Sequence, residues 1–136
     1  MIPDGTVLFT YEGNDLVSNV VKLKYAHVLI RLDDAWYHAT YPRVTRTSDY
    51  KAHTEVLYLK PQVGLRFPDM LRVANENLGR QCSVEGFVNP DKYNQTKGIY
   101  SSQYVAMILV AGGARVTIEA GRDPDRLFYA LTGKRP

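Results

Sequence analysis

Apolar residues recur along this chain in two alternating rhythms, and the order of those rhythms outlines a fold. "TVLFTY" (6–11) is rich in β-formers and follows Pro3, Asp4 and Gly5, which predicts a first strand. "NDLVSNVVKLK" (14–24) sets Leu16, Val17, Val20, Val21 and Leu23 at helical spacing behind Asn14 or Asp15 as cap. Two strand-like runs follow, "AHVLIRL" (26–32) and "AWYHATYPRV" (35–44), and the acidic pair between them predicts a hairpin. "TEVLYLKP" (54–61) reads as another strand that stops at a proline. "FPDMLRVANENLG" (67–79) reads as a helix, with Pro68 in its first turn and Gly79 as its stop.

From Arg80 to Gly98 the pattern is that of a loop. It leads to a second, more apolar helix that begins at "SSQYVAMILVAGG", with Ser101 or Ser102 as cap and Gly112–Gly113 as its end. "ARVTIEA" (114–120) alternates like a short strand. "DPDRLFYALTG" reads as a terminal helix with Asp123 as cap and Pro124 at its first position. The expected order is β-α-β-β-β-α-α-β-α. Neighbouring strands early in the chain predict an antiparallel sheet with helices packed on it, an α+β domain.

The hairpin allows a sharper expectation. With Asp33–Asp34 as a two-residue loop, Thr40 faces His27 and Leu29 faces His38. Side chains alternate across a sheet, so residues 27, 29, 38 and 40 share one face and the histidines become diagonal neighbours at roughly 7 Å. Val28 and Ile30 then point the other way, into a core, beside Tyr37 and Ala39. Such a pair suits a proton-transfer site, because histidine titrates near neutrality. Paired sheet histidines also serve as polar surface or as hydrogen-bonded core, and spacing alone does not separate these roles.

At 136 residues the chain suits a single domain spanning 1–136, and 45% hydrophobic against 23% charged residues is a globular balance rather than a disordered one. Cys82 is the sole cysteine, which excludes an intrachain disulfide framework. It follows a helix stop, where the helix dipole raises a thiol pKa, and is expected to be a small buried hydrophobe rather than a nucleophile. The N-terminus lacks the basic and apolar regions of a secretory signal, and the longest apolar run, "YVAMILVA" (104–111), is too short to span a bilayer. A soluble protein with no membrane span is expected, cytoplasmic or virion-associated. A net charge of +3 suits an anionic partner, but the basic residues are scattered, so specific nucleic-acid binding is not expected. His53 has no carboxylate or cysteine at ligand spacing, and neither a metal nor a cofactor is expected.

Four short segments, in order, carry a resemblance. The opening "GTVLFTYEGNDLVSNVVKLK" resembles a glycine-led strand and helix, and "YAHVLI" resembles a strand bearing a catalytic histidine. "WYHAT" resembles the next strand, bearing a second polar residue. "IYSSQYVAMIL" resembles a late helix start that carries a cysteine nucleophile. The chain thereby resembles the circularly permuted papain-like superfamily, related to NlpC-type cell-wall peptidases and to lecithin retinol acyltransferase-like proteins. "GRDPDRLFYAL" resembles the proline-led terminal helix of bacterial members.

The resemblance implies a cysteine-type amidohydrolase or peptidase, phage or bacterial, that cleaves a peptide or amide bond in peptidoglycan. It implies Ser101 at the nucleophile position, His27 as general base and His38 as the orienting third residue. In that arrangement the backbone N–H of Ser101, with a nearby tyrosine such as Tyr11, would form the oxyanion site. The departure from the family is the hydroxyl at 101, which a helix N-terminus alone does not ionise. Three explanations are open: a cysteine replaced by design, a binding or structural module without a nucleophile, and a serine hydrolase.

Overall fold

The computed structural model describes residues 2–11, 23–51, 56–83 and 98–136. Among these residues five strands, β1 (Val7–Thr10), β2 (His27–Leu32), β3 (Ala35–Ala39), β4 (Val44–Thr47) and β5 (Val56–Leu59), form one open antiparallel sheet in the order β4-β3-β2-β1-β5. Among the described residues three α-helices follow, α1 (Phe67–Glu76), α2 (Ser101–Ala111) and α3 (Pro124–Thr132), with a 3-10 turn at Ile118–Arg122 before the last. The fold is α+β. The helix predicted over 14–24 lies almost wholly outside the described residues, as does His53.

The β2–β3 hairpin closes through Asp33 and Asp34, with φ of 49° and 63°. Positive φ at both central residues is what a type I′ two-residue hairpin loop demands, and the short polar aspartate side chain tolerates it. The register pairs Ile30 with Tyr37, Arg31 with Trp36 and Leu32 with Ala35, as the two-residue loop requires. One sheet face therefore carries Val7, Phe9, Val28, Ile30, Tyr37, Ala39 and Val44 into the main core beneath the helices. The other face carries Leu8, Leu29 and Trp36, a smaller apolar cluster covered by Ile2, Tyr50 and Val56.

α2 packs against β2 and β3 and against α1. Its direction follows from its ends. The Arg66 N–H donates to the Gly112 carbonyl at 2.9 Å, and Phe67 and Pro68 line one hollow with Leu32 and Asp33. The C-terminus of α2 thus lies at the hairpin-turn end of the sheet. Eleven helical residues and six strand residues span similar lengths, about 16 and 20 Å. The N-terminus of α2 consequently lies at the opposite end, where β2 begins and β3 finishes.

Two expectations are corrected. "AWYHATYPRV" is not one strand: Pro42 offers no N–H to a ladder, β3 stops at Ala39 and a separate β4 starts at Val44. "ARVTIEA" is not a strand. Its alternation is real, with residues 114, 116, 118 and 120 half-buried and 115, 117 and 119 exposed. Among the described residues the segment pairs with no strand, however, and from Ile118 it turns into a 3-10 helix packed on α2. The Cβ of Ala106 lies only 2.7 Å from where a Cβ on Gly121 would stand, so glycine is what lets this turn approach α2.

Candidate active site

His27 opens β2 and His38 stands one residue before the end of β3, so both occupy the sheet end that receives the N-terminus of α2. They share the face opposite the main core. Nε2 of His27 lies 2.8 Å from Nδ1 of His38, with the rings edge to face at 74°. The diagonal placement expected from the hairpin has become a hydrogen bond. Tyr50 covers His38 edge-on, its ring 5.6 Å away. His38 is 7% exposed, and His27 keeps somewhat more accessible surface.

Burial governs the charge state of the pair. Desolvation, and then the neighbouring His38, hold His27 down at about 3. Desolvation holds His38 down at about 4. Both imidazoles are neutral at neutral pH, so one ring donates and the other accepts. If His27 donates from Nε2, its Nδ1 carries a bare lone pair and can take a proton from a third group. If His38 donates, the His27 proton sits on Nδ1 and the ring is no base. His38 thus serves the base-competent tautomer as an acceptor.

Ser101 is not the helix cap. Tyr100, with extended backbone angles, is the N-cap of α2, and its N–H donates to the Gln103 side chain at 3.4 Å. Ser101 and Ser102 fill the first two helical positions. The Ser102 hydroxyl donates to the Gly121 carbonyl at 2.9 Å and is fully buried. Ser101 is 8% exposed, and among the described residues neither its hydroxyl nor its backbone N–H has a hydrogen-bond partner. The first N–H groups of a helix have no partner within it, so this one stands ready for an external oxygen.

A short relay of isolated backbone bridges links the segment before Ser101 to the histidine end. The Cys82 N–H donates to the Pro42 carbonyl at 3.0 Å, just beyond β3. Cys82 in turn pairs in parallel with Ile99 through Ile99 N–H to Gln81 O, 3.0 Å, and Ser83 N–H to Ile99 O, 2.8 Å. Two residues later α2 begins. No hydrogen bond joins Ser101 to His27 or His38 in this state. Cys82, expected to be a small buried hydrophobe, is half-buried and packs against the core.

Tyr11 follows β1 on the helix-facing side, its hydroxyl 3.5 Å from that of Tyr25 and its ring 4.9 Å from the Tyr25 ring. Burial and the bond to Tyr11 push the Tyr25 phenol well above its ordinary value. The Lys24 ammonium lies over both rings, at 5.6 and 5.8 Å. Sequence reasoning missed Tyr25, Thr10 and Asp125 as neighbours of the histidine strand. Thr10 was legible in principle from β1–β2 pairing, whereas Asp125 reaches the strand only through the tertiary fold.

Among the described residues no three histidine, cysteine, aspartate or glutamate side chains cluster as a metal site, and no helix is long and apolar enough to cross a membrane. Comparison of the chain with protein-family models, with curated proteins and with solved structures finds no match.

Proposed function

We propose that this domain is a papain-like amidohydrolase scaffold of the cysteine type whose nucleophile position is held here by Ser101. Peptide bonds of peptidoglycan are its substrate class. The observation that carries the reading is the 2.8 Å bond between His27 Nε2 and His38 Nδ1, at the sheet end where α2 begins with Ser101, whose hydroxyl has no hydrogen-bond partner among the described residues. It supports a base, an orienting acceptor and a nucleophile position in the order the resemblance implies.

In the Ser101→Cys form, His27 Nδ1 takes the thiol proton and the thiolate attacks the amide carbonyl. The backbone N–H at position 101 donates to the oxygen that becomes negative. His27, now an imidazolium that donates from Nε2 to His38, returns its proton to the leaving amine. Water then releases the acyl group by the same exchange. A serine gains little from this base. An imidazole held near 3 is too weak to strip a hydroxyl, whereas a thiolate would itself raise the imidazole by ion pairing. Resting hydrolases often hold nucleophile and base farther apart than in the substrate complex.

The test compares the chain as it stands with Ser101→Cys on purified peptidoglycan, with products read by mass spectrometry. Cleavage by the cysteine form alone, lost again on His27→Ala, sustains the reading and identifies the bond. Cleavage by neither form removes it. A second reading is a non-catalytic binding module on the same fold, favoured by the absence of any Ser101–histidine hydrogen bond. Under that reading the serine form retains peptidoglycan in a pull-down and neither form cleaves it.

A further inference from the structure

The backbone immediately before His27 is held from far away in the sequence. The N–H groups of Lys24 and Tyr25 donate to the two carboxylate oxygens of Asp125, at 2.9 and 3.0 Å. Asp125 is the second residue of α3, about 100 residues further along the chain. Each oxygen takes one peptide N–H, so the carboxylate fixes the position and the tilt of the peptides that lead into β2. Hydrogen bonds to an ionised acceptor are stronger than neutral ones. A second contact comes from the same helix: Phe128 packs on the Tyr25 ring at 5.1 Å, and Phe9 on β1 completes the cluster.

His27 is two residues beyond this clamp. The Ala26 N–H donates to the Thr10 carbonyl at 2.9 Å, so the peptides at 24, 25 and 26 are all anchored outside their own strand. His27 is the first residue of β2, where a strand end has least to hold it. Its ring must meet His38 Nδ1 across 2.8 Å while leaving its other nitrogen open. A shift of the run-in by an ångström would break that contact.

We infer that Asp125 is a positioning residue for His27, through which the C-terminal helix sets the geometry of the base. The inference rests on the hydrolase reading for its kinetic consequence, but the His27–His38 bond can be observed without catalysis. Asp125 makes no hydrogen bond to either histidine and acts through the backbone N–H groups of Lys24 and Tyr25.

The experiment uses the full chain in two forms. In the chain as it stands, the coupling between ring nitrogens across the His27–His38 bond is followed by NMR of histidine-labelled protein. In the Ser101→Cys form, kcat and KM are measured on peptidoglycan fragments. Asp125→Ala is expected to abolish the coupling and to lower kcat by about tenfold to 100-fold with KM little changed, as a small misplacement of a reacting group does. Asp125→Asn, with one acceptor oxygen left, should fall between, and it decides the matter if the alanine variant does not fold. The control is Asp123→Ala, which removes the N-cap bond to the Arg126 N–H of the same helix (2.7 Å) and leaves the clamp in place.

Retention of coupling in Asp125→Ala, or an equal loss in Asp123→Ala, overturns the inference, because helix stability rather than the clamp would then be at work. If the Ser101→Cys form cleaves nothing, the hydrolase reading fails, and the coupling still decides the role of Asp125.

Discussion

Thr10 and His27 are direct cross-strand partners on one face of the sheet, and the buried Thr10 hydroxyl has no hydrogen-bond partner among the described residues. Leaving a buried hydroxyl unpaired costs about 1–3 kcal/mol. Thr10 accordingly flanks the base from β1 while His38 holds it from β3.

The first prediction concerns this hydroxyl. Thr10→Val keeps the shape and removes the unpaired group, and is expected to stabilise the fold by about 1 kcal/mol. Thr10→Ser keeps the hydroxyl and should not. Urea denaturation midpoints decide between them. A loss of stability in Thr10→Val would mean that a bound water already bridges the hydroxyl and that the hydroxyl belongs to the site.

The depressed histidines make stability depend on pH in one direction. Both bind protons more readily unfolded, near the ordinary value of about 6.5, than folded, at about 3 and about 4. Between those values the unfolded state carries more protons, so unfolding free energy falls as pH falls through that window. Each histidine contributes at most about 1.4 kcal/mol per pH unit. Denaturation at pH values from about 7 down to about 4 should show this slope, and His38→Gln should reduce it. An unchanged slope in that variant would place the titration in other groups.

The third prediction links base and nucleophile. Introducing Ser101→Cys should raise the His27 pKa by more than about one unit, because a thiolate favours the imidazolium. The thiol pKa should fall below the ordinary value of about 8.5. Histidine ring NMR reads the first, and thiolate absorbance reads the second against the serine form, which contains Cys82 alone. Independent titration of the two groups would mean that position 101 is out of reach of His27.

Where local chemistry determined the backbone, the sequence was enough. The Asp33–Asp34 loop set the register, and the register set the facing of His27 and His38. Asp123 with Pro124 and Gly133 bounded the last helix, where the Asp123 side chain accepts from the Arg126 N–H and Gly133 takes the left-handed conformation. Where tertiary packing decided, the pattern misled. Residues 114–120 alternate because one side lies on the core, yet among the described residues no strand pairs with them. Ser101 looks like a cap in sequence, but Tyr100 takes that place and the Gln103 side chain completes it. The Asp125 clamp has no local signature, since both its donors are backbone groups in another part of the chain.

The last prediction tests how the start of α2 is held. Gly121 presses against that helix: a Cβ there would meet the Ala106 Cβ at 2.7 Å, the Ser102 carbonyl at 2.9 Å and the Gln103 Cα at 3.1 Å. Two of those three neighbours are backbone atoms, so no side chain can swing aside to make room. Gly121→Ala must therefore push the 3-10 turn away from α2 and stretch the Ser102 hydroxyl bond to the Gly121 carbonyl. Overpacking of this kind costs about 1–3 kcal/mol. The displaced turn abuts Ser102 and Gln103, the residues that follow Ser101, so the site should suffer along with the fold. Thermal melts should show the destabilisation, and Ser101→Cys carrying Gly121→Ala should lose turnover even below its melting range. Ser102→Ala, which removes the hydroxyl bond without adding volume, should cost less in both. If Gly121→Ala melts unchanged, the turn has room to retreat and does not hold the start of α2.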